Sequence, residues 1–138
     1  MLTNGQKYIH PFSFSQSEVI AFAKVTGDNN PVHLDDEFAA QTVFKKKIIH
    51  GMLGASVLSK VFGTIFPGNG TIYLNQTLNF YKPMYVDEYY EAIFEVKELI
   101  FEKQRAIITT TIVDIDNKIV LAGEACIMHA KILQQVHA

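Results

Sequence analysis

Two hydrophobic periodicities follow one another along the chain. Up to residue 66, apolar positions recur at helical spacing between irregular connections; from 71 to 129 they alternate with a period of two. Helices gathered ahead of strands predict an α+β fold, not an alternating α/β one. The boundary falls at Pro67-Gly68-Asn69-Gly70, a strong turn sequence.

In the first half, Ser15-Gln16-Ser17-Glu18 has the form of a capping box, and Val19, Phe22 and Ala23 share one face before Gly27. This predicts a helix over Gln16–Thr26. Residues 36–41 predict a second short helical turn, its acidic start suiting the positive end of the helix dipole. A third helix is predicted from Gly51 to about Phe66. Met52, Ala55, Val57, Leu58, Val61, Phe62, Ile65 and Phe66 leave little of its circumference polar, as in a helix enclosed by a sheet.

In the second half, Ile72, Leu74, Gln76, Leu78 and Phe80 alternate with Tyr73, Asn75, Thr77, Asn79 and Tyr81, predicting one strand over 72–81 that Pro83 ends. Strands over 88–99, 105–115 and 118–129 follow, with turns at 102–104 and at Asp116-Asn117. Together with a short strand near 7–12, they predict a curved antiparallel sheet around one central helix. The apolar content of several strands on both sides points to a surface or edge that meets another subunit.

The chain has 138 residues, of which 49% are hydrophobic, enough for one domain over 1–138 with a core that needs no disulfide or metal. Twelve Lys+Arg against fourteen Asp+Glu lack the positive excess that phosphate backbones demand, which argues against nucleic acid as a partner. A single cysteine, Cys126, rules out an intramolecular disulfide framework and predicts an inert core thiol in a reducing compartment. Residues 48–66 contain too many polar and small residues for a membrane span, and the N-terminal residues lack the charged start and apolar run of a signal peptide. The expected location is cytoplasmic.

The chemistry gathers in Thr26-Gly27-Asp28-Asn29-Asn30-Pro31-Val32-His33, with Ile48-Ile49-His50-Gly51-Met52 further on. An acid and an imidazole five positions apart, in a loop stiffened by Pro31, can converge on one water as acid/base partners. Singly, Asp28 also reads as the end of a helix and Asn30-Pro31 as a turn.

As a set, Asp28-Asn29-Asn30-Pro31-Val32-His33 fills every defined position of the Asp-x-Asn-Pro-x-His motif and resembles the MaoC-like branch of the hotdog-fold superfamily. The likeness continues through His50-Gly51-Met52, Gly68 to Leu74 and Phe80-Tyr81-Lys82-Pro83. The resemblance implies (R)-specific hydration of trans-2-enoyl-CoA, or the reverse dehydration. It implies Asp28 and His33 as catalytic residues, Asn30 as the residue that shapes their loop, and Gly51 as an oxyanion-hole amide. Ser59 and Phe62 on the central helix are its substrate-contact candidates. No cofactor and no metal are implied, and the expected assembly is a homodimer with pockets at the interface. A backbone amide at a helix N-terminus suits the negative charge that hydration places on a thioester oxygen.

His50 can cap, pack or line a pocket, and stays outside the catalytic set. Lys45-Lys46-Lys47 can meet the phosphates of coenzyme A or of a carrier protein, but reads first as a solvated loop. His10, His129 and His137 show no ligand spacing, and Asp35, Asp36 and Glu37 read as a helix start. Still open are a 3-hydroxyacyl-carrier-protein dehydratase, an acyl-thioesterase and a non-catalytic acyl-binding subunit. Fatty-acid synthesis, β-oxidation and polyhydroxyalkanoate supply all remain compatible with the sequence.

Overall fold

The computed structural model describes residues 2–130. Strand β1 (Lys7–Phe12) leads into helix α1 (Gln16–Thr26), which begins and ends on its expected residues. The Ser15 hydroxyl accepts from the Glu18 amide at 3.2 Å, and the Glu18 carboxylate accepts from the Ser15 amide at 3.0 Å. Gly27 closes the helix at φ 79°, a left-handed conformation that costs glycine little. Two short helices follow, α2 (Pro31–Leu34) and α3 (Asp36–Ala40), and then the long helix α4 (Gly51–Thr64).

The strands are β2 (Ile72–Gln76), β3 (Asn79–Phe80), β4 (Tyr90–Ile100), β5 (Arg105–Asp114) and β6 (Ile119–Met128). They form a six-stranded antiparallel sheet in the order β1-β4-β5-β6-β2, with β3 also on β6. Tyr90, Ala92, Phe94 and Val96 of β4, Ala106, Ile108 and Ile112 of β5, and Ala125 and Ile127 of β6 all turn inward. They enclose Leu53, Val57, Leu58, Val61 and Phe62 of α4 in one apolar core. Burial at about 25 cal/mol per Å² makes this core the main term holding helix and sheet together.

Four expectations need correction. The strand over 72–81 is divided, because the chain dips at Thr77 until its carbonyl oxygen lies where Gly123 of β6 has no side chain. That dip is held by Thr77 N–H to the Glu124 carbonyl and Glu124 N–H to the Thr77 hydroxyl, each 2.9 Å. Secondly, α2 was not anticipated: Asn30-Pro31 starts a helical turn where a loop was expected. Thirdly, Met52 is 59% exposed, because the first turn of α4 projects past the sheet. Lastly, Cys126 is half-buried, not in the core, since the alternation of β6 sends Ala125 and Ile127 inward and Cys126 to the other face.

Candidate active site

Local chemistry shapes the Asp28–His33 segment first. Asn30 is the N-cap of α2, its side-chain oxygen accepting from the Val32 amide at 3.2 Å, and Pro31 takes the first helical position, where no N–H is missed. One turn of helix then points His33 inward, 8% exposed, while Asp28 stays exposed at the end of α1.

A second segment, 48–50, is stitched to this loop. Ile48 N–H donates to the Val32 carbonyl at 3.2 Å, and His33 Nδ1 lies 2.8 Å from the Ile48 carbonyl. His50 Nε2 lies 2.9 Å from the Asp28 carbonyl, and Gln16 Nε2 donates to the His33 carbonyl at 3.0 Å. The imidazoles of His33 and His50 stack with centroids 3.8 Å apart.

These contacts assign tautomers. A carbonyl oxygen only accepts, so His33 donates from Nδ1 and its Nε2 keeps the free lone pair. Burial pushes the His33 pKa below its ordinary 6.5; the Ile48 hydrogen bond opposes this, His50 adds to it, and Asp28 raises the value again. Neutral His33 is therefore an acceptor at Nε2 near neutral pH.

Ligand atoms of Asp28, His33 and His50 all lie within 4.8 Å of one another, so the cluster has the composition of a metal site. Its geometry suits a metal poorly. His33 Nδ1 and His50 Nε2 are committed to carbonyls, and rings inclined by only 27° direct their in-plane lone pairs alongside one another.

Gly51 and Met52 open α4, and helix geometry leaves their amides without an intrahelical acceptor. His50, the N-cap residue, offers no side-chain cap, its ring being turned to Asp28. Two clefts flank this end of α4. One, of about 310 Å³, is lined by Gly51, Phe80, Lys82 and Met84 among others. The other, about 450 Å³, lies between α4 and β2 and is lined by Met52, Ser56, Ser59, Tyr73 and Gln76 among others.

The structure thus brings Asp28, Asn30, His33 and the residue before Gly51 together. Ser59 faces the larger cleft, whereas Phe62 is 1% exposed and lies edge-on to Tyr73, which lines that cleft. Sequence reasoning missed Gln16 and the Ile48 carbonyl. Neither carries a local signal, since one is an ordinary first-turn helix residue and the other a main-chain atom.

The remaining candidates have other partners. Lys46 pairs with Glu88 at 3.3 Å and lies over the Tyr85 ring, and Lys47 pairs with Asp36 at 3.4 Å. Asp35 caps α3 through the Glu37 and Phe38 amides. His10 Nε2 lies 3.4 Å from Lys60 Nζ, and His129 Nε2 donates to the Asn69 carbonyl at 2.7 Å. His137 lies outside the described residues.

A curved antiparallel sheet closed on one central helix, with this loop at the helix N-terminus, defines a hotdog-fold domain. Residues 3–117 match the model of the MaoC like domain, and the chain belongs to that family. It is 44% identical over 113 residues to the 3-hydroxybutyryl-CoA dehydratase of Methylorubrum extorquens, covering 82% of this chain and 71% of that protein. It is 42% identical over 123 residues to an (R)-specific enoyl-CoA hydratase of Aeromonas caviae, covering 89% and 92%. The solved structure of an (R)-hydratase from A. caviae involved in PHA biosynthesis superposes with a TM-score of 0.89 at 41% identity, covering 93% of this chain and 97% of that one.

Proposed function

We propose that the protein is a hydro-lyase that adds water to trans-2-enoyl-CoA to give (R)-3-hydroxyacyl-CoA, and runs the reverse dehydration. The observation that carries this reading is the stitching of the Asp28–His33 loop to the uncapped start of α4. An acid/base pair beside backbone amides at a helix N-terminus is what hydration of a thioester requires, and this arrangement supports the reading.

The thioester oxygen is held at the Gly51 amide. Water gives one hydrogen bond to His33 Nε2 and one to the Asp28 carboxylate. As the water oxygen bonds to C3, the C2–C3 π electrons move onto the thioester as an enolate, stabilised at Gly51. The proton lost by water passes to the Asp28/His33 pair, and C2 takes a proton from the same pair. Asn30 keeps the loop in shape by capping α2. No redox change occurs, so no redox cofactor is called for.

The acyl chain runs into the cleft beside Ser59, with Phe62 acting through Tyr73. The described residues act as one domain of a homodimer in the cytoplasm; among them no helix is long and apolar enough to cross a membrane. The pairing edge is β2, where Ile72 and Leu74 are exposed at 49% and 41%. Such an apolar edge is a liability unless another strand covers it.

The test is an assay of the purified protein with 2-enoyl-CoA thioesters of graded length, with chiral analysis of the product. Hydration to the (R) isomer is expected. Coupling to an (S)-specific 3-hydroxyacyl-CoA dehydrogenase should give almost no NADH, and rapid NADH formation would overturn the assignment. Repeating the assay with carrier-protein thioesters identifies the carrier.

A further inference from the structure

His50 takes no proton in the chemistry above, yet it touches each part of it. Its Nε2 lies 2.9 Å from the Asp28 carbonyl, and because that oxygen only accepts, Nε2 carries the proton. Its ring lies on the His33 ring at 3.8 Å and 27°, and Phe22 packs against it at 4.8 Å and 57°. Its main chain starts α4, so the same residue precedes the Gly51 amide.

A space-filling role does not account for this. His50 is 2% exposed, and its Nδ1 is buried with no hydrogen-bond partner among the described residues. Burying an unpaired polar atom costs free energy that an apolar side chain avoids. Nor does the side chain cap the helix it precedes. What imidazole offers, and Phe or Gln alone lacks, is a flat face for His33 together with an N–H aimed at the Asp28 main chain.

We propose that His50 is a positioning residue for the hydration: with a proton on Nε2, it fixes the Asp28 main chain by a hydrogen bond and the plane of the His33 ring by stacking, so that both side chains address one water. The titratable groups that face it are Asp28 and His33. The inference rests on the hydration reading and deepens it.

Two substitutions divide the two contacts. His50→Gln keeps a side-chain N–H donor and loses the stacked ring; His50→Phe keeps a ring and loses the donor. Each is expected to lower kcat by about tenfold or more while KM stays within about threefold, because misplacing a catalytic group costs turnover more than ground-state binding. Folded variants that both keep kcat within about twofold, or that raise KM while keeping kcat, would overturn the proposal.

A measurement on the unmutated protein needs no variant to fold. Nitrogen-15 spectra of labelled histidine should show His50 with a proton on Nε2 at the pH of maximal activity, and an Nε2 without a proton there would overturn the clamp. This readout does not depend on turnover. A protein that hydrates no enoyl-CoA would therefore defeat the functional reading while the tautomer still reports on His50.

Discussion

The ring of Phe80 occupies the space left open at Gly51: a Cβ on residue 51 would lie 2.9 Å from Phe80 Cε1 and 3.1 Å from Cδ1. Both residues line the smaller cleft, and Phe80 is 51% exposed, so its ring has room to swing away. Gly51→Ala should therefore fold, since displacing an exposed, flexible ring costs little. Its kcat/KM with an enoyl-CoA substrate should fall about tenfold or more, because the new methyl and the displaced ring crowd the approach to the Gly51 amide. Adding Phe80→Ala should recover part of the loss, a coupling that a double-mutant cycle measures.

Asp28→Asn and His33→Gln should each keep the fold and lower turnover by at least about 10²-fold, the low end for a general acid or base. In the proposed mechanism both act on one water, so the double variant should be little worse than the poorer single one. Single variants that both turn over near the parent rate would remove the pair from the mechanism.

The fold was legible where local chemistry decides it. The bounds of α1 follow from Ser15, Glu18 and Gly27, and β1 and the β5–β6 hairpin appear where alternation and Asp116-Asn117 place them. The divided edge strand was not legible, because alternation along 72–81 carries no trace of the contact between Thr77 and Gly123, far away in sequence. The site divides in the same way. Asp28 and His33 are close enough in sequence to suggest a pair, whereas His50 joins them only through carbonyl and stacking contacts made by the tertiary fold.

The pH dependence follows from the direction of the His33 shift. The proposed hydration needs its Nε2 lone pair, and burial holds its pKa below 6.5, so the acid limb of kcat/KM for hydration should be centred below 6.5. An acid limb centred at or above 6.5 would contradict this. Stability should change in the same sense. Between the lowered native pKa and 6.5 the unfolded chain binds more protons at this residue, so its contribution favours unfolding increasingly as pH falls through that window. Denaturation midpoints of the parent and of His33→Gln, compared across the window, isolate that contribution.

Gly123→Ala probes the dip that divides β2 from β3. Its Cβ would overlap the Thr77 carbonyl oxygen, and the obstacle is main chain, unable to rotate aside as the Phe80 ring does. The edge must shift, and the expected cost is at least about 2 kcal/mol, within the range for overpacking. Urea denaturation reads it directly; a midpoint unchanged from the parent would show that the edge adapts freely.

The same edge is open to a second copy of the chain. In the sheet order β1-β4-β5-β6-β2, strand β2 has a neighbour on one side only among the described residues, and Ile72, Tyr73 and Leu74 on it are exposed. A second copy pairing there would cover these residues by closed two-fold symmetry and would add a wall to the open cleft between α4 and β2. Light scattering at micromolar concentration should therefore give twice the chain mass of 15.5 kDa. Leu74→Lys places a charge on the pairing edge and should shift the protein toward monomer, since charged residues are how exposed edges resist pairing. If the cleft needs its second wall, turnover should fall in step with the dimer fraction as the variant is diluted, while the parent stays active. A stable monomer of the parent with full turnover would show that one copy builds the whole site.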